Sequence, residues 1–254
     1  MAVIAVFNQK GGVGKTTTAL NVSAGLALLK LDPVAIDLDP QGHLTLASGG
    51  AAIAAQAGIY AFFESGVPFD QVIHRLEPGR RLVPATIDLG KIDALRGGDA
   101  GISTRLRDGI RNGFGANTAP VIIDCCPMLG VLTLNALIAA DRVLIPVSAD
   151  FLSLQGVDRL DRALNALEIK LKRRFERRVL VTRYDGRRRL SAEIHAELRR
   201  RYGNAVCTTR IGENVALAAS PMHGRDIHAF APASPGARDY AALVQELGSS
   251  GFFN

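Results

Sequence analysis

Lys10-Gly11-Gly12-Val13-Gly14-Lys15-Thr16-Thr17 packs three glycines, two lysines and two threonines into one short stretch, a composition suited to holding phosphate. Glycines let backbone N–H groups turn toward an anion, and a helix starting directly afterwards adds its own free N–H donors and positive dipole end. Lys15 then supplies a point charge at the β- and γ-phosphates, and the Thr16 hydroxyl is a ligand for Mg²⁺. The general phosphate-loop pattern asks for a glycine, then four residues, then the Gly-Lys-Thr triplet. That position is Gln9, so the general form fails there. What matches is a variant loop with a lysine, Lys10, at its start.

Two more segments carry acidic groups at apolar strand ends. Val121-Ile122-Ile123 runs into Asp124, the Walker B form, whose carboxylate belongs beside the metal of a phosphoryl-transfer site. Asp37-Leu38-Asp39 follows a second apolar run. Either acid there can serve the metal's water or the attacking water. Strand ends of this kind sit at the carboxyl edge of a parallel sheet, where ligands bind.

The elements that must position these groups are legible as alternating patterns. Apolar runs at 3–7, 34–36, 121–123, 143–147 and 179–181 are continuous rather than alternating, as in parallel strands covered on both faces. Helical patterns fall at 16–30, 132–140, 154–167, 192–201 and 237–247. The first is apolar on almost every side and therefore belongs inside the protein. This order predicts an α/β fold: a doubly wound, mainly parallel sheet flanked by helices, in a single domain spanning residues 1–254. The Ala- and Gly-rich stretch 47–57 reads as a loop or weak helix, and 231–236, with two prolines, as the lead into the last helix.

Nearly half of the 254 residues are apolar, enough for a large core. No apolar run is long enough to span a bilayer, and the first residues lack the basic start of a secretory signal. Three cysteines make no disulfide framework, so a reducing cytoplasm is the expected setting, and adjacent Cys125 and Cys126 read as small buried residues at a strand end. Five scattered histidines show no metal-ligand spacing. The net charge is +6, but residues 170–201 hold 13 Lys or Arg against 4 Asp or Glu, so the rest of the chain is net acidic.

Taken in order, these motifs resemble those of the ParA/Soj-type partition ATPases of the ParA/MinD superfamily. The resemblance rests on residues 10–17, on Asp37-Leu38-Asp39-Pro40-Gln41-Gly42-His43-Leu44-Thr45, and on Ile123-Asp124-Cys125-Cys126-Pro127. It extends through Leu132-Thr133-Leu134-Asn135-Ala136-Leu137, residues 143–147, Val181-Thr182-Arg183-Tyr184-Asp185, and 214–224. It implies an ATPase with ATP and Mg²⁺ as cofactors, working as a homodimer with nucleotide sandwiched between subunits. Lys10 would reach the partner subunit's phosphates, Asp39 would position or activate water, and Thr16, Asp37 and Asp124 would serve the metal. Turnover would be slow and stimulated by an adaptor or ParB-like protein. Two departures stand out. Cys126-Pro127-Met128 replaces the family's frequent Pro-Pro-Ser, and Glu213 and Ala216 flank Asn214 where DNA-binding members often carry basic residues.

The resemblance also implies nonspecific DNA as the matrix, with the protein cytoplasmic and nucleoid-associated and its cargo a plasmid, a chromosome locus or a protein assembly. Lys172, Arg173, Arg174, Arg187, Arg188 and Arg189 are the candidate DNA-binding residues. A MinD-like membrane switch is the alternative. It relies on a basic amphipathic terminal helix, whereas residues 245–254 are rich in Gly and Ser, lack basic groups and are expected to fray, Phe252 and Phe253 included. A metabolic ATP-using enzyme or an iron–sulfur reductase on the same fold is a third reading, for which adjacent Cys125 and Cys126 are poorly spaced. No helix-turn-helix segment precedes residue 10, so operator binding through one is not expected.

Overall fold

The structure is a computed structural model that describes residues 2–50, 57–76, 79–96, 99, 101–114 and 119–254. Residues 51–56 of the Ala- and Gly-rich stretch lie outside that set. In chain order the elements are β1 (Val3–Val6), α1 (Lys15–Leu28), β2 (Val34–Leu38), α2 (His43–Ala47), α3 (Ile59–Ser65), β3 (His74–Leu76), β4 (Arg80–Val83), α4 (Gly90–Arg96) and α5 (Arg105–Phe114). They continue with β5 (Val121–Cys125), α6 (Val131–Ala139), β6 (Arg142–Ser148), α7 (Phe151–Leu171), β7 (Glu176–Tyr184), α8 (Arg189–Tyr202), β8 (Val206–Gly212), α9 (Val215–Ala219), α10 (Ile227–Phe230) and α11 (Pro235–Ser249).

Among the described residues the strands form one sheet in the order β3-β4-β2-β5-β1-β6-β7-β8. Every adjacent pair is parallel except β3 with β4. The predicted architecture therefore holds. Its central strands are buried on both faces, which is why their sequences do not alternate. Val3, Ala5 and Phe7 join the core on one side of the sheet, and Ile4 and Val6 join the core on the other.

Helix α1 fills the second of these cores, with residues 18–26 buried without interruption. It ends where Lys30 and Asp32 take left-handed φ values of 60° and 46° just before Pro33, whose ring disfavours helix in the residue preceding it. Opposite α1 lies α11, whose Tyr240 hydroxyl is 3.2 Å from Thr18 Oγ1.

The C-terminal segment differs from expectation. Phe252 and Phe253 are 0% and 6% exposed, and Phe252 N–H donates to the Leu247 carbonyl at 2.9 Å. Arg142 lies over the Phe252 ring and donates to the Asn254 carbonyl at 2.7 Å. Burial of two aromatic rings, together with these hydrogen bonds and the Arg142 contact, offsets the backbone freedom that the ordered residues lose, so the tail docks instead of fraying. Both rings thus belong to the core around α1 and α11.

Candidate nucleotide site

Strand β1 hands the chain to the phosphate loop at the carboxyl edge of the sheet, and neighbouring strands tie the loop down. Asn8 Nδ2 donates to the Pro146 carbonyl of β6 at 2.8 Å and its Oδ1 accepts from Lys10 N–H at 3.0 Å. From β7, Thr182 Oγ1 donates to the Val13 carbonyl at 2.8 Å. Gly12 and Gly14 sit at φ 74° and 84°, left-handed values that only glycine adopts at no steric cost. A Cβ on Gly11 or Gly12 would meet no protein atom within 4 Å, so the loop faces open space. The first turn of α1 carries no acidic residue and no capping side chain, which leaves its N–H donors available to an anion.

Lys15 is 8% exposed, and its Nζ donates to the Lys10 carbonyl at 3.0 Å. Burial pulls its pKa below the usual lysine range, with the Asp124 charge opposing. An ammonium in that position gains from a polyanion in front of it.

The two predicted acidic strand ends meet. Asp37 and Asp124 are register partners on adjacent strands β2 and β5, and both side chains are fully buried. Their surroundings separate their roles. Asp37 Oδ2 accepts from Thr45 N–H at 2.8 Å and from Thr45 Oγ1 at 2.6 Å, while Oδ1 accepts from Asp39 N–H at 3.1 Å. Burial raises its pKa to about 6 against these hydrogen bonds. Neither Asp124 carboxylate oxygen has a well-aligned hydrogen bond among the described residues, although the Thr16 hydroxyl lies near enough to oppose the rise in its pKa. Burial first, and then the Asp37 charge, push its pKa well above the ordinary carboxylate range. A buried carboxylate so poorly hydrogen-bonded costs several kcal/mol unless it is neutralised or meets a cation. That is the environment a Mg²⁺ shell would relieve. With its oxygens hydrogen-bonded to Thr45 and Asp39, Asp37 would act on such an ion through charge, and it fixes the turn that carries Asp39.

Asp39 lies past the end of β2, and its Oδ1 accepts from Gln41 N–H at 2.9 Å. It opens into a cleft of about 710 Å³ shared with Gly12, Lys15, Thr16, His43 and Cys126. The structure therefore brings together Lys15, Thr16, Asp39 and the glycines as one wall, with Asp37 and Asp124 beneath. Cys125 and Cys126 are buried free thiols, as expected of small residues at a strand end.

Lys10 does not line this cleft. Its Nζ is turned to the rim, 2.6 and 2.8 Å from the Asp150 carboxylate oxygens and 3.0 Å from Ser153 Oγ. Partial burial would raise the Asp150 pKa, but hydrogen bonds from Lys10, Ser148 and Ser153 outweigh it and hold the group at about 2. Asp150 also caps α7 by accepting from Ser153 N–H at 3.0 Å. Directly after it, Phe151 and Leu152 are 60% and 66% exposed, and Met128 and Leu129 are exposed after β5.

A second cleft, of about 490 Å³, opens on the other side of Thr17 and was not anticipated as a binding site from the residues alone. Thr182 and Arg183 from the end of β7, Gly212 at the end of β8, and Glu213 and Asn214 just after it form part of its walls. Arg183 holds φ 52°, a conformation that costs an L-residue roughly 1 kcal/mol and persists where the surroundings impose it. The sequence signal was indirect, since 181–185 and 214–224 stood out only through the family likeness.

The basic segment proves not to be one patch. Lys172, Arg173 and Arg174 precede β7, whereas Arg187, Arg188 and Arg189 follow it, so the nine-residue strand separates the two sets by about 26 Å. Arg173 is already committed, donating to the Leu137 and Ile138 carbonyls that end α6 at 3.1 and 2.6 Å. Lys172, in the left-handed cap of α7, and Arg174 are exposed. Arg187, Arg188 and Arg189 are exposed on the same sheet edge as the phosphate loop.

An AAA domain family model matches residues 1–177. The chromosome-partitioning ATPase Soj of Thermus thermophilus is 42% identical over 247 residues, covering 96% of this chain and 94% of its own length. The chromosome partitioning protein ParA of Caulobacter vibrioides is 34% identical, over 97% of this chain and 94% of its own. Among solved structures, cobyrinic acid a,c-diamide synthase from Mycobacterium smegmatis with bound ADP and magnesium superposes with a TM-score of 0.84 at 30% identity, covering 99% of this chain and 96% of that one. The phosphate loop, the acidic strand ends beneath it and likeness of this extent agree, and the chain belongs to the Soj/ParA family of chromosome-partitioning ATPases.

Proposed function

We propose that the chain is an ATP-hydrolysing switch that dimerises around ATP and Mg²⁺ and, as that dimer, binds DNA without sequence preference to position a plasmid, chromosome locus or protein cargo. The observation that carries this reading is the placement of Lys10. The lysine that distinguishes this loop lies at the rim of its own cleft, on a face where Met128, Leu129, Phe151 and Leu152 stand exposed. From that rim it can serve a facing subunit's phosphates. Fully burying an apolar side chain of this size stabilises an interface by about 1.5–3 kcal/mol.

Within one cleft, Gly11, Gly12, Gly14 and the first turn of α1 bind the phosphates through N–H donors. Lys15 compensates charge between them, Thr16 and Asp124 hold the metal with Asp37 in support, and Asp39 orients water. The metal supplies electrostatic stabilisation of the transferring phosphoryl group. The cleft beyond Thr17 is the place for the base and ribose. Turnover depends on Lys10 arriving from the second subunit, so it is slow alone and is raised by an adaptor or ParB-like partner. The setting that follows is the nucleoid of the cytoplasm. On DNA, Arg187, Arg188 and Arg189 share the nucleotide edge, while Lys172 and Arg174 supply charge at the opposite edge.

The test is oligomeric state and binding to random-sequence duplex, each measured with Mg²⁺–ATP, Mg²⁺–ADP and no nucleotide. A dimer and salt-sensitive DNA binding only with ATP support the reading. A monomer in all three states refutes it.

A further inference from the structure

Between the second cleft and the exposed arginine turn lies a small network with more cations than acids. Glu213 forms an ion pair at each carboxylate oxygen. Arg183 Nε is 3.7 Å from Oε1, and Arg188 Nη2 is 3.8 Å from Oε2. Arg188 Nε also lies 3.2 Å from Asp185 Oδ2. Arg187 engages Asp185 with Nε at 2.9 Å and Nη2 at 3.0 Å, the two-pronged geometry that a guanidinium offers a phosphate. Hydrogen bonding from Arg187 holds the Asp185 pKa at about 2, so that acid stays ionised at neutral pH. Asp185 is nearly buried and also accepts Arg187 N–H at 3.1 Å, which makes it part of the turn itself. Glu213 is different. It is 41% exposed and reaches across from the end of β8 to two arginines that are 61% and 65% exposed.

We propose that Glu213 is an internal phosphate mimic, a carboxylate that occupies Arg183 and Arg188 where the backbone phosphates of a nucleic acid would otherwise sit. This rests on the DNA-binding reading above and names how that surface is restrained. The contacts are long and exposed, so the restraint is weak, as a reversible one must be. It is also placed to respond to nucleotide. Arg183 and Glu213 both line the cleft beside the phosphate loop, and Glu213 N–H donates to the Tyr184 carbonyl at 3.1 Å, linking the β7 and β8 ends. An occupant of the cleft meets Glu213 and its partner Arg183 from inside, while Arg188 of the arginine turn meets Glu213 from outside.

The experiment measures binding of random-sequence duplex to the full chain across a salt series, without nucleotide and with Mg²⁺–ATP. The variants are Glu213→Gln, Arg183→Ala/Arg188→Ala, and the combination of all three, with melting temperatures read alongside. Glu213→Gln is expected to tighten nucleotide-free binding about threefold to tenfold and to steepen the slope of log affinity against log salt by about 1–2, since each new phosphate contact contributes roughly 0.9. The gain shrinks with Mg²⁺–ATP and disappears when both arginines are absent. If the same gain persists without those arginines, Glu213 acts only through net charge and the proposal is overturned. No gain in Glu213→Gln while the wild type binds DNA with Mg²⁺–ATP also overturns it and leaves the DNA reading standing. Absence of DNA binding by every protein in every state overturns both.

Discussion

Lys10 and Asp150 are joined by a two-oxygen contact, Nζ lying 2.6 Å from Oδ1 and 2.8 Å from Oδ2. The acid is the N-cap of α7, the helix whose first residues are exposed beside the loop. On the proposed function Lys10 would have to leave this partner to serve a second subunit, so the single chain would hold that lysine in reserve.

Asp150→Asn keeps a good helix cap and removes the charge that holds Lys10. The pair is partly exposed, at 32% and 45%, so its worth is no more than about 1 kcal/mol. The expected result is a rise of about fivefold or less in basal ATP turnover, with dimerisation at lower protein concentration. The check is turnover as a function of protein concentration, and unchanged or slower turnover would contradict the release role.

Asp124→Asn should stabilise the ligand-free chain and abolish its response to Mg²⁺. Relief of a buried, poorly hydrogen-bonded acid is worth about 1–2 kcal/mol, or roughly 2–8 °C in a chain of this size. The sign follows from linkage. A carboxyl whose folded pKa is raised, as Asp37's is to about 6, holds its proton in the native state after the unfolded chain has released it. On Asp37's account stability therefore falls as pH rises from about 4 to 6, and Asp124, whose pKa is also raised by burial, adds a loss of the same sign. Melting curves from pH 4 to 8, with and without Mg²⁺–ATP, should show the wild-type slope reduced in the variant.

Asp39→Ala should leave ATP binding within a few-fold and lower turnover by about 100-fold or more, the usual loss on removing a positioned group that orients water. Equilibrium nucleotide binding and phosphate release, measured together, separate the two. Loss of binding would move Asp39 from the chemistry to the architecture of the cleft.

Thr182→Val removes the hydroxyl that donates to the Val13 carbonyl while keeping the side chain's shape. One lost hydrogen bond costs about 0.5–1.5 kcal/mol, so nucleotide affinity should weaken roughly twofold to tenfold with no change of fold. Titration with a fluorescent ATP analogue provides the readout.

Gly109→Ala tests packing far from the nucleotide. A Cβ there would meet the Phe62 ring at 2.5 Å, and Phe62 is held between Phe63 and Phe69. Overpacking of this kind costs about 1–3 kcal/mol, so a melting temperature lower by roughly 2–12 °C is expected, with turnover per folded molecule unchanged.

The strands that build the site were readable because burial on both faces leaves continuous apolar runs, as in Val121-Ile122-Ile123. Strand β4 was not. Its Arg80 and Arg81 are buried, and it is a strand because Asp226 and Asp32 from distant parts of the chain meet their charges. Helix α5 carries the helical repeat Leu106, Ile110 and Phe114, yet Gly109 and Gly113 disguise it. Those glycines are required by Phe62 and Phe69, contacts that no local pattern contains. In the site, the phosphate loop and the acidic strand ends were legible as types at fixed spacings. The division of labour between Asp37 and Asp124 was not, because it turns on whether Thr45 reaches one carboxylate or the other. Nor could sequence show that β7 carries Lys172–Arg174 and Arg187–Arg189 to opposite edges.

The adjacency of Asp37 and Asp124 also has a calorimetric consequence. Two buried acids with raised affinity for protons hold them to higher pH than ordinary carboxylates when no cation is present, and a metal–nucleotide complex would displace those that remain. The heat measured on loading would then include the ionisation of whatever buffer takes up those protons. Apparent enthalpies in buffers of high and low ionisation heat should diverge, and their difference counts the protons expelled.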